Sequence, residues 1–365
     1  MTDRSPFSLI RVSSFEAPMA QPVNIIIPAW NQVAYSRQCI QTLLANTPEG
    51  AYRLILVNNG STDETPAFFD SVPKTSVIHF PENRGFAAAV NAGMRLVESG
   101  HILLLNNDTL LPPGWLERLL APLDEMPDAG LVGPVSNTVS GSQQIETPTL
   151  TTWEEIISFA QARAAEYAGR RRETARLVGF CLLIRDRAFQ DIGLFDERYG
   201  IGNYEDDDYC IRAIRAGWRL VIAEDAFVFH YGGRTFLALD PEMKSYRQIL
   251  DRNRALFESK FQPSPHERLD EALRARRLAE AASRHLAGGN LKTAIENSLD
   301  ALNHWRFELQ AWDVLVQAME HLGEHERAAL LRQQAQNARR AMENTGPPST
   351  SEGNSHDGTD SNCPL

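Results

Sequence analysis

The sequence predicts an α/β domain with a mostly parallel sheet flanked by helices, followed by a small all-α region. Three observations carry that prediction. From Pro22 to about Phe236, short apolar runs rich in β-branched residues alternate with stretches of helical spacing, the pattern of strands buried on both faces between helices. Several of these runs end in polar tips: Pro28-Ala29-Trp30-Asn31, Asn58-Asn59 and Asn106-Asn107-Asp108. From about Pro265 the texture changes to Ala, Leu, Arg and Glu at helical spacing and repeats itself.

In chain order, PVNIIIPAWN reads as a buried first strand closed by Pro28, and Val33 to Leu44 as a helix. Leu54 to Val57 form the next strand, Asn59-Gly60 a turn, and Ser61, Thr62 or Asp63 caps the helix that follows. A strand at Val77 to Phe80, a helix from Phe86 to about Val97, the strand HILLLN and a helix from near Pro113 continue the alternation. After a less patterned stretch from Ser136 to Arg172, with one helix near Trp153, ARLVGFCLLI reads as a buried strand. GNYEDDDYCIRAIRAG is a loop entering a helix, and RLVIAEDAFVFHYGG supplies two short strands. In the helical region, Leu278, Gly289, Ala294 and Ala301 recur as Trp312, Gly323, Ala328 and Ala335, a period of about 34 residues that matches tetratricopeptide units. The last residues, from about Asn344, are rich in Ser, Gly, Asn, Asp and Pro and read as disordered.

Composition narrows the function. With 36 basic and 47 acidic residues the formal net charge is -11, and no cluster of Lys and Arg forms a basic patch, so no nucleic-acid partner is expected. Cys39, Cys181, Cys210 and Cys363 lie far apart and form no CxxC pair, which argues against a zinc site or a disulfide framework and fits a cytoplasmic location. The opening residues lack a signal-like apolar run and no later run approaches the roughly 20 residues of a membrane span. Peripheral membrane contact stays open.

Strands of such a sheet present ligands at their carboxyl ends, where the three polar tips converge. Seven motifs then occur in order: IIIPAWN, LVNNGSTDET, ENRGFAAAVNAG, LLLNNDTLLPPGWL, VGFCLLI, FDERYGIGNYEDDDYCIRAIRAG and VFHYGG. On these motifs the segment from Pro22 to about Phe236 resembles glycosyltransferase family 2, whose members have the GT-A fold. The resemblance implies a GT-A catalytic domain, taken over 22–262; the residues themselves give a flexible leader over 1–21, a tetratricopeptide-like region over 266–340 and a disordered tail over 344–365.

It also implies roles. Asn106-Asn107-Asp108 stands where the family has a DxD-like motif, with Asp108 as ligand to Mn²⁺ or Mg²⁺; Asn106 replaces the first carboxylate. His230, closing AFVFH, matches a further metal ligand. In the run Glu205-Asp206-Asp207-Asp208, Asp206 matches the general base and Glu205 a residue orienting the acceptor. Acidic residues also complement the dipole of a first helical turn, but four in succession exceed what capping needs. Pro28, Ala29 and Asn31 match the loop touching the nucleoside, Asn83 and Arg84 one near the base, and Asn58 a position where many members read uracil with Asp. An amide both accepts and donates, so uridine is favoured while deoxythymidine and guanosine stay open. Asp63 and Gly93 read as a helix cap and a packing glycine, and Trp30, Trp115 and Trp218 as core or strand-end residues.

The expectation is an inverting, metal-dependent transferase carrying a sugar from a nucleoside diphosphate to a hydroxyl of a glycan, a lipid-linked saccharide or a protein. The repeats favour keeping a protein acceptor in view, because such grooves bind peptides. The alternative is a non-catalytic adaptor with a degenerate transferase domain and a peptide-binding repeat tail, which Asn58 and Asn106 favour and the retention of Asp108, Asp206 and His230 opposes.

Overall fold

A computed structural model describes residues 21–232, 244–261, 269–304 and 308–343. The expected leader (apart from Gln21) and the expected disordered tail lie outside them, as does Cys363. The chain divides into two compact units at Asp270–Glu271.

The first unit is built on strands β1 (Val23–Ala29), β2 (Tyr52–Asn59), β3 (Thr75–Phe80), β4 (Ile102–Leu105), β6 (Ala129–Val135), β7 (Arg171–Thr174), β8 (Cys181–Ile184) and β9 (Arg219–Phe227). They hydrogen-bond in the order β3-β2-β1-β4-β8-β6-β9-β7. A separate two-stranded pair joins β5 (Thr109–Leu110) to β10 (Phe229–His230). Pairings β1 with β2 and β4, β2 with β3, and β6 with β9 are parallel. Within the eight-stranded sheet, β8 against β4 and β6 and the edge strand β7 against β9 run antiparallel. This is the mixed, mostly parallel sheet that the alternation predicts.

Period-two patterning sorts the core onto two faces. Ile25, Ile27, Leu54, Leu56, Leu103 and Leu105 pack with helices α1 (Val33–Asn46), α2 (Thr65–Asp70) and α4 (Trp115–Glu125). Ile26, Ile55, Val57, Ile102 and Leu104 pack on the opposite face with α3 (Phe86–Met94), α5 (Trp153–Glu166) and α7 (Glu205–Arg215). Helix α6 (Asp186–Ile192) and, later in the chain, α8 (Lys244–Lys260) complete this unit. A Cβ on Gly93 would sit 2.6 Å from the Ile26 side chain, so only glycine lets α3 settle this closely on β1. Trp115 is fully in the core, its indole N–H donating to Thr47 Oγ1 at 3.0 Å. Trp218 donates to Asp191 at 3.0 Å.

Asp63 does more than the single cap expected of it. Its Oδ1 accepts the Thr65 amide at 2.9 Å and its Oδ2 the Val33 amide at 3.0 Å, so one carboxylate satisfies the free N–H groups of two helices. Burial acts to raise its pKa, but these hydrogen bonds outweigh it and hold the carboxyl below its usual range. Asp63→Ala is expected to cost about 1–2 kcal/mol, read as a lower urea midpoint at pH 7. The loss shrinks as pH falls through the depressed pKa, because protonation removes the same contribution from the wild type.

Three readings differ from the structure. The helix from Phe86 ends at Met94 rather than near Val97. The strand read over ARLVGFCLLI is confined to Cys181–Ile184, because the backbone before it turns aside to hold site residues. Strands β6 and β7 have no counterpart in the sequence reading: AGLVGPV carries two glycines and a proline, and RRET carries no apolar residue.

The second unit contains α9 (Leu269–Ala287), α10 (Leu291–His304), α11 (Leu309–His321) and α12 (His325–Glu343). The repeated positions coincide in structure: Gly289 and Gly323 both turn at φ 75°, and Ala294, Ala328 and Ala301 are fully buried, with Ala335 at 6%. Among the described residues, no helix is long and apolar enough to cross a membrane.

Candidate active site

The order of strands reverses between β1 and β4, the place where open α/β sheets present ligands. Two adjoining loops meet there. Asn31 and Gln32 both adopt left-handed backbone, φ 56° and 64°. Asn31 Oδ1 accepts the Thr62 amide at 2.8 Å while its own N–H donates to Ser61 Oγ at 2.8 Å, which ties the loop after β1 to the loop after β2. Pro28 and Ala29, in the last turn of β1, are buried. Asn58 is buried, with Oδ1 accepting the Ser61 amide at 2.9 Å and its amide nitrogen 3.1 Å from His79 Nδ1.

Asn59, which the sequence reading treats only as a turn residue, organises the next loop. It donates to Asn83 Oδ1 at 3.0 Å and to the Gly85 carbonyl at 3.1 Å, and accepts the Arg84 amide at 2.9 Å. Arg84 extends over the Phe80 ring, 4.9 Å from its centre, a stabilising cation–π contact.

After β4, Asn106 acts through its backbone: its N–H donates to the Phe180 carbonyl at 2.8 Å and its carbonyl accepts Thr109 Oγ1 at 2.8 Å. Asn107 is buried and donates to Ser36 Oγ at 2.9 Å. Asp108 is buried, with Oδ1 3.1 Å from His230 Nε2. The antiparallel pairing of β5 with β10 sets His230 opposite Thr109 and makes this meeting inevitable.

Two residues that the sequence reading missed fix the imidazole. The Asn137 side chain accepts the His230 N–H at 2.9 Å and donates to the His230 carbonyl at 3.1 Å. The Thr138 carbonyl lies 2.7 Å from His230 Nδ1. A carbonyl only accepts, so Nδ1 carries the proton and a neutral ring turns the Nε2 lone pair toward the Asp108 carboxylate. Two acceptors facing each other call for a cation between them or a second proton on the ring. A ring oriented by a backbone carbonyl on its far nitrogen is how metal-ligating histidines are held, so the pair fits a divalent cation. Among the described residues no cluster of three or more His, Cys, Asp or Glu gathers, which leaves the remaining positions of such an ion to phosphate and water.

The acidic run divides cleanly. Asp207 pairs with the Arg176 guanidinium. Asp208, with no exposure, takes Arg212 Nε at 2.7 Å, the Tyr199 hydroxyl at 3.1 Å and the Lys260 ammonium. Among the described residues Asp206 meets no cation directly: Oδ2 accepts the Gly179 amide at 3.1 Å and Oδ1 the Asp207 amide at 2.9 Å. Burial and, after it, the neighbouring Asp207 push its pKa up to about 6, against the opposing pull of Arg176. Burial pushes Glu205 well above the usual carboxylate range, with the Asp206 charge adding to it. Glu205 Oε2 is buried without a hydrogen-bond partner among the described residues.

One short segment joins the two halves. Gly179 N–H holds Asp206, the Phe180 carbonyl holds Asn106, and the Phe180 ring stacks on His230 at 5.0 Å between centres. Asp108, His230 and Asp206 therefore share one end of the sheet around β8.

This mostly parallel α/β sheet, with Asp108, His230 and Asp206 at its carboxyl edge, has the arrangement expected of a GT-A-type transferase domain. Residues 24–193 match the family described as Glycosyl transferase family 2. A pre-mycofactocin glycosyltransferase of Mycobacterium tuberculosis is 29% identical over 217 residues, 58% of this chain and 43% of the relative. An N-acetylglucosaminyl-diphospho-decaprenol L-rhamnosyltransferase of the same organism is 29% identical over 213 residues, 52% of this chain and 69% of the relative. The match thus spans less than half of the first relative. Among solved structures, S. aureus TarS 1-349 in complex with UDP is similar with a TM-score of 0.47 and 15% identity, covering 89% of this chain and 90% of that one.

Proposed function

We propose that this protein is an inverting glycosyltransferase that uses a divalent cation to move a sugar from a nucleoside diphosphate, uridine diphosphate first among the candidates, to an acceptor hydroxyl. The observation that carries the reading is the link through Gly179 and Phe180 between the Asp108–His230 pair and Asp206. Asp108 and His230 would hold Mn²⁺ or Mg²⁺, and the imidazole favours Mn²⁺. Such an ion, when bound, supplies Lewis-acid stabilisation to the departing diphosphate.

The chain's own residues do the rest. Asn31, Asn58, Asn83 and Arg84 line the loops that would receive the nucleoside, with Pro28 and Ala29 forming their base and Asn106 and Asn107 fixing the turn into Asp108. Asp206 accepts the acceptor's proton as the hydroxyl attacks the anomeric carbon from the face opposite the nucleotide. Its two backbone N–H contacts hold the carboxylate still, and its raised pKa makes it a better base than an exposed aspartate. Glu205 offers Oε2 to orient the acceptor. The acceptor classes are a glycan, a lipid-linked saccharide or a protein; a relative named for a decaprenol-linked acceptor supports the second, and the helical hairpins support the third.

Release of nucleoside diphosphate from a panel of nucleotide sugars with Mn²⁺ tests the reading. Turnover by wild type assigns the enzyme, and no turnover of any donor favours the adaptor. The pH profile is a second test: the base works ionised, so kcat/KM rises with pH and levels off above a midpoint of about 6. A rate that falls across that interval contradicts the assignment of Asp206.

A further inference from the structure

Helix α8 lies outside the segment 24–193 that matches the family, yet one of its faces grips the approach to the acidic run. Arg252 donates to the Arg198 carbonyl at 2.9 Å, Arg254 to the Tyr204 hydroxyl at 3.1 Å, and Phe257 meets the Tyr204 ring at 5.6 Å. Between them Asn253, with no exposure, brings Nδ2 within 2.8 Å of the Tyr199 carbonyl, 2.8 Å of Gly202 and 3.0 Å of Asn203. One amide nitrogen thus gathers three backbone carbonyls of a single loop.

That loop needs holding. Asn203 and Tyr204 are consecutive non-glycine residues in left-handed backbone, φ 75° and 72°, a conformation that side chains disfavour. Tyr204 is also the residue from which α7 starts, without any side-chain cap on the helix. Glu205 and Asp206 follow at once, so the direction in which they leave the loop depends on those two strained residues. At its other end the loop abuts the donor side: the Ile201 carbonyl accepts the Phe86 amide at 3.4 Å, and a Cβ on Gly85 would fall 1.9 Å from the Gly200 carbonyl. Without Asn253 these carbonyls would lose the amide donor they share, which would release the loop to other conformations.

We propose that Asn253 is a positioning residue for the reaction: by clamping residues 199–203 it aims Asp206, and with it Glu205, at the acceptor. This rests on the transferase reading above. It predicts little change in donor affinity, since Asn253 touches neither the Asp108–His230 pair nor the loops after β1 and β2, and the clamped loop meets the backbone of Gly85 and Phe86 rather than the Asn83 or Arg84 side chains.

The test uses full-length protein carrying Asn253→Asp, which keeps the shape and replaces the donor N–H groups with acceptors, and Asn253→Ala. Leu123→Ala, which leaves a cavity beneath α4 on the face of the sheet opposite α7, is the control for a general loss of stability. Both Asn253 variants are expected to lower kcat about 10–100-fold with donor KM within about twofold, the scale of a misplaced catalytic group. They are also expected to shift the acid limb set by Asp206, whose charged and titratable neighbours are Glu205, Asp207 and Cys210 on α7 and Arg176 ahead of β8, and to speed amide hydrogen exchange over residues 200–206. Leu123→Ala should lower Tm while leaving kcat, the acid limb and that exchange in place. Unchanged kcat and acid limb in the Asn253 variants, with Asp206→Asn inactive, overturn the positioning role and leave the transferase reading intact. Unchanged exchange over 200–206 overturns the clamp whether or not any sugar is transferred.

Discussion

Asp206→Asn is expected to lower kcat by a factor of about 10²–10⁴, with the affinity for nucleotide and metal unchanged. The asparagine oxygen still accepts the Gly179 amide that the carboxylate accepts at 3.1 Å, at the cost of the contact with the Asp207 amide, so the side chain stays anchored while the capacity to take a proton goes. The same substitution is expected to raise Tm at neutral pH. A carboxyl whose folded pKa is raised from 3.8 to about 6 binds more protons folded than unfolded across that window. Its contribution to stability is thus lost as pH rises through the interval, and above it the wild type carries a buried charge that the amide does not. Activity and stability then move in opposite directions, a pairing that a merely structural Asp206 would not give.

The second large effect is at the Asp108–His230 pair. Asp108→Ala is expected to reduce kcat/KM at least about 10³-fold, since Lewis-acid stabilisation of a leaving phosphate is worth several kcal/mol and each 1.36 kcal/mol is a factor of ten. Calorimetric titration of UDP into the protein locates the cause. Wild type and Asp206→Asn should bind tightly only with Mn²⁺, and Asp108→Ala weakly with or without it. A chelator should reproduce the Asp108→Ala result in wild type. Metal-independent binding that Asp108→Ala leaves untouched would separate Asp108 and His230 from the donor.

The fold was legible where strands are continuously apolar. NIII, LILV and ILLL could only be buried strands between helices, and their polar tips marked the carboxyl edge. Strand β6 escaped because its glycines answer to tertiary neighbours: Gly130 lies against Trp218, and Gly133 against Gln143 and Leu177. Missing β6 also hid Asn137 and Thr138, the residues that orient His230, since nothing local distinguishes them from loop residues. The acidic run was visible as a motif, but its division of labour was not. Only the packing shows that Asp207 and Asp208 are taken up by Arg176, Arg212 and Lys260 while Asp206 and Glu205 keep no direct cation partner among the described residues. Asn253, some fifty residues along the chain from the loop it clamps, belongs to the same category: long-range hydrogen bonds leave no periodic trace in a sequence.

The most direct measurement is nucleoside diphosphate release from a nucleotide-sugar panel with Mn²⁺, run side by side on wild type, Asp108→Ala and Asp206→Asn. Turnover of a donor by wild type, with both variants reduced at least about a hundredfold, is the expected result. Equal rates in all three proteins would contradict the account, because the aspartates would then lie outside the chemistry.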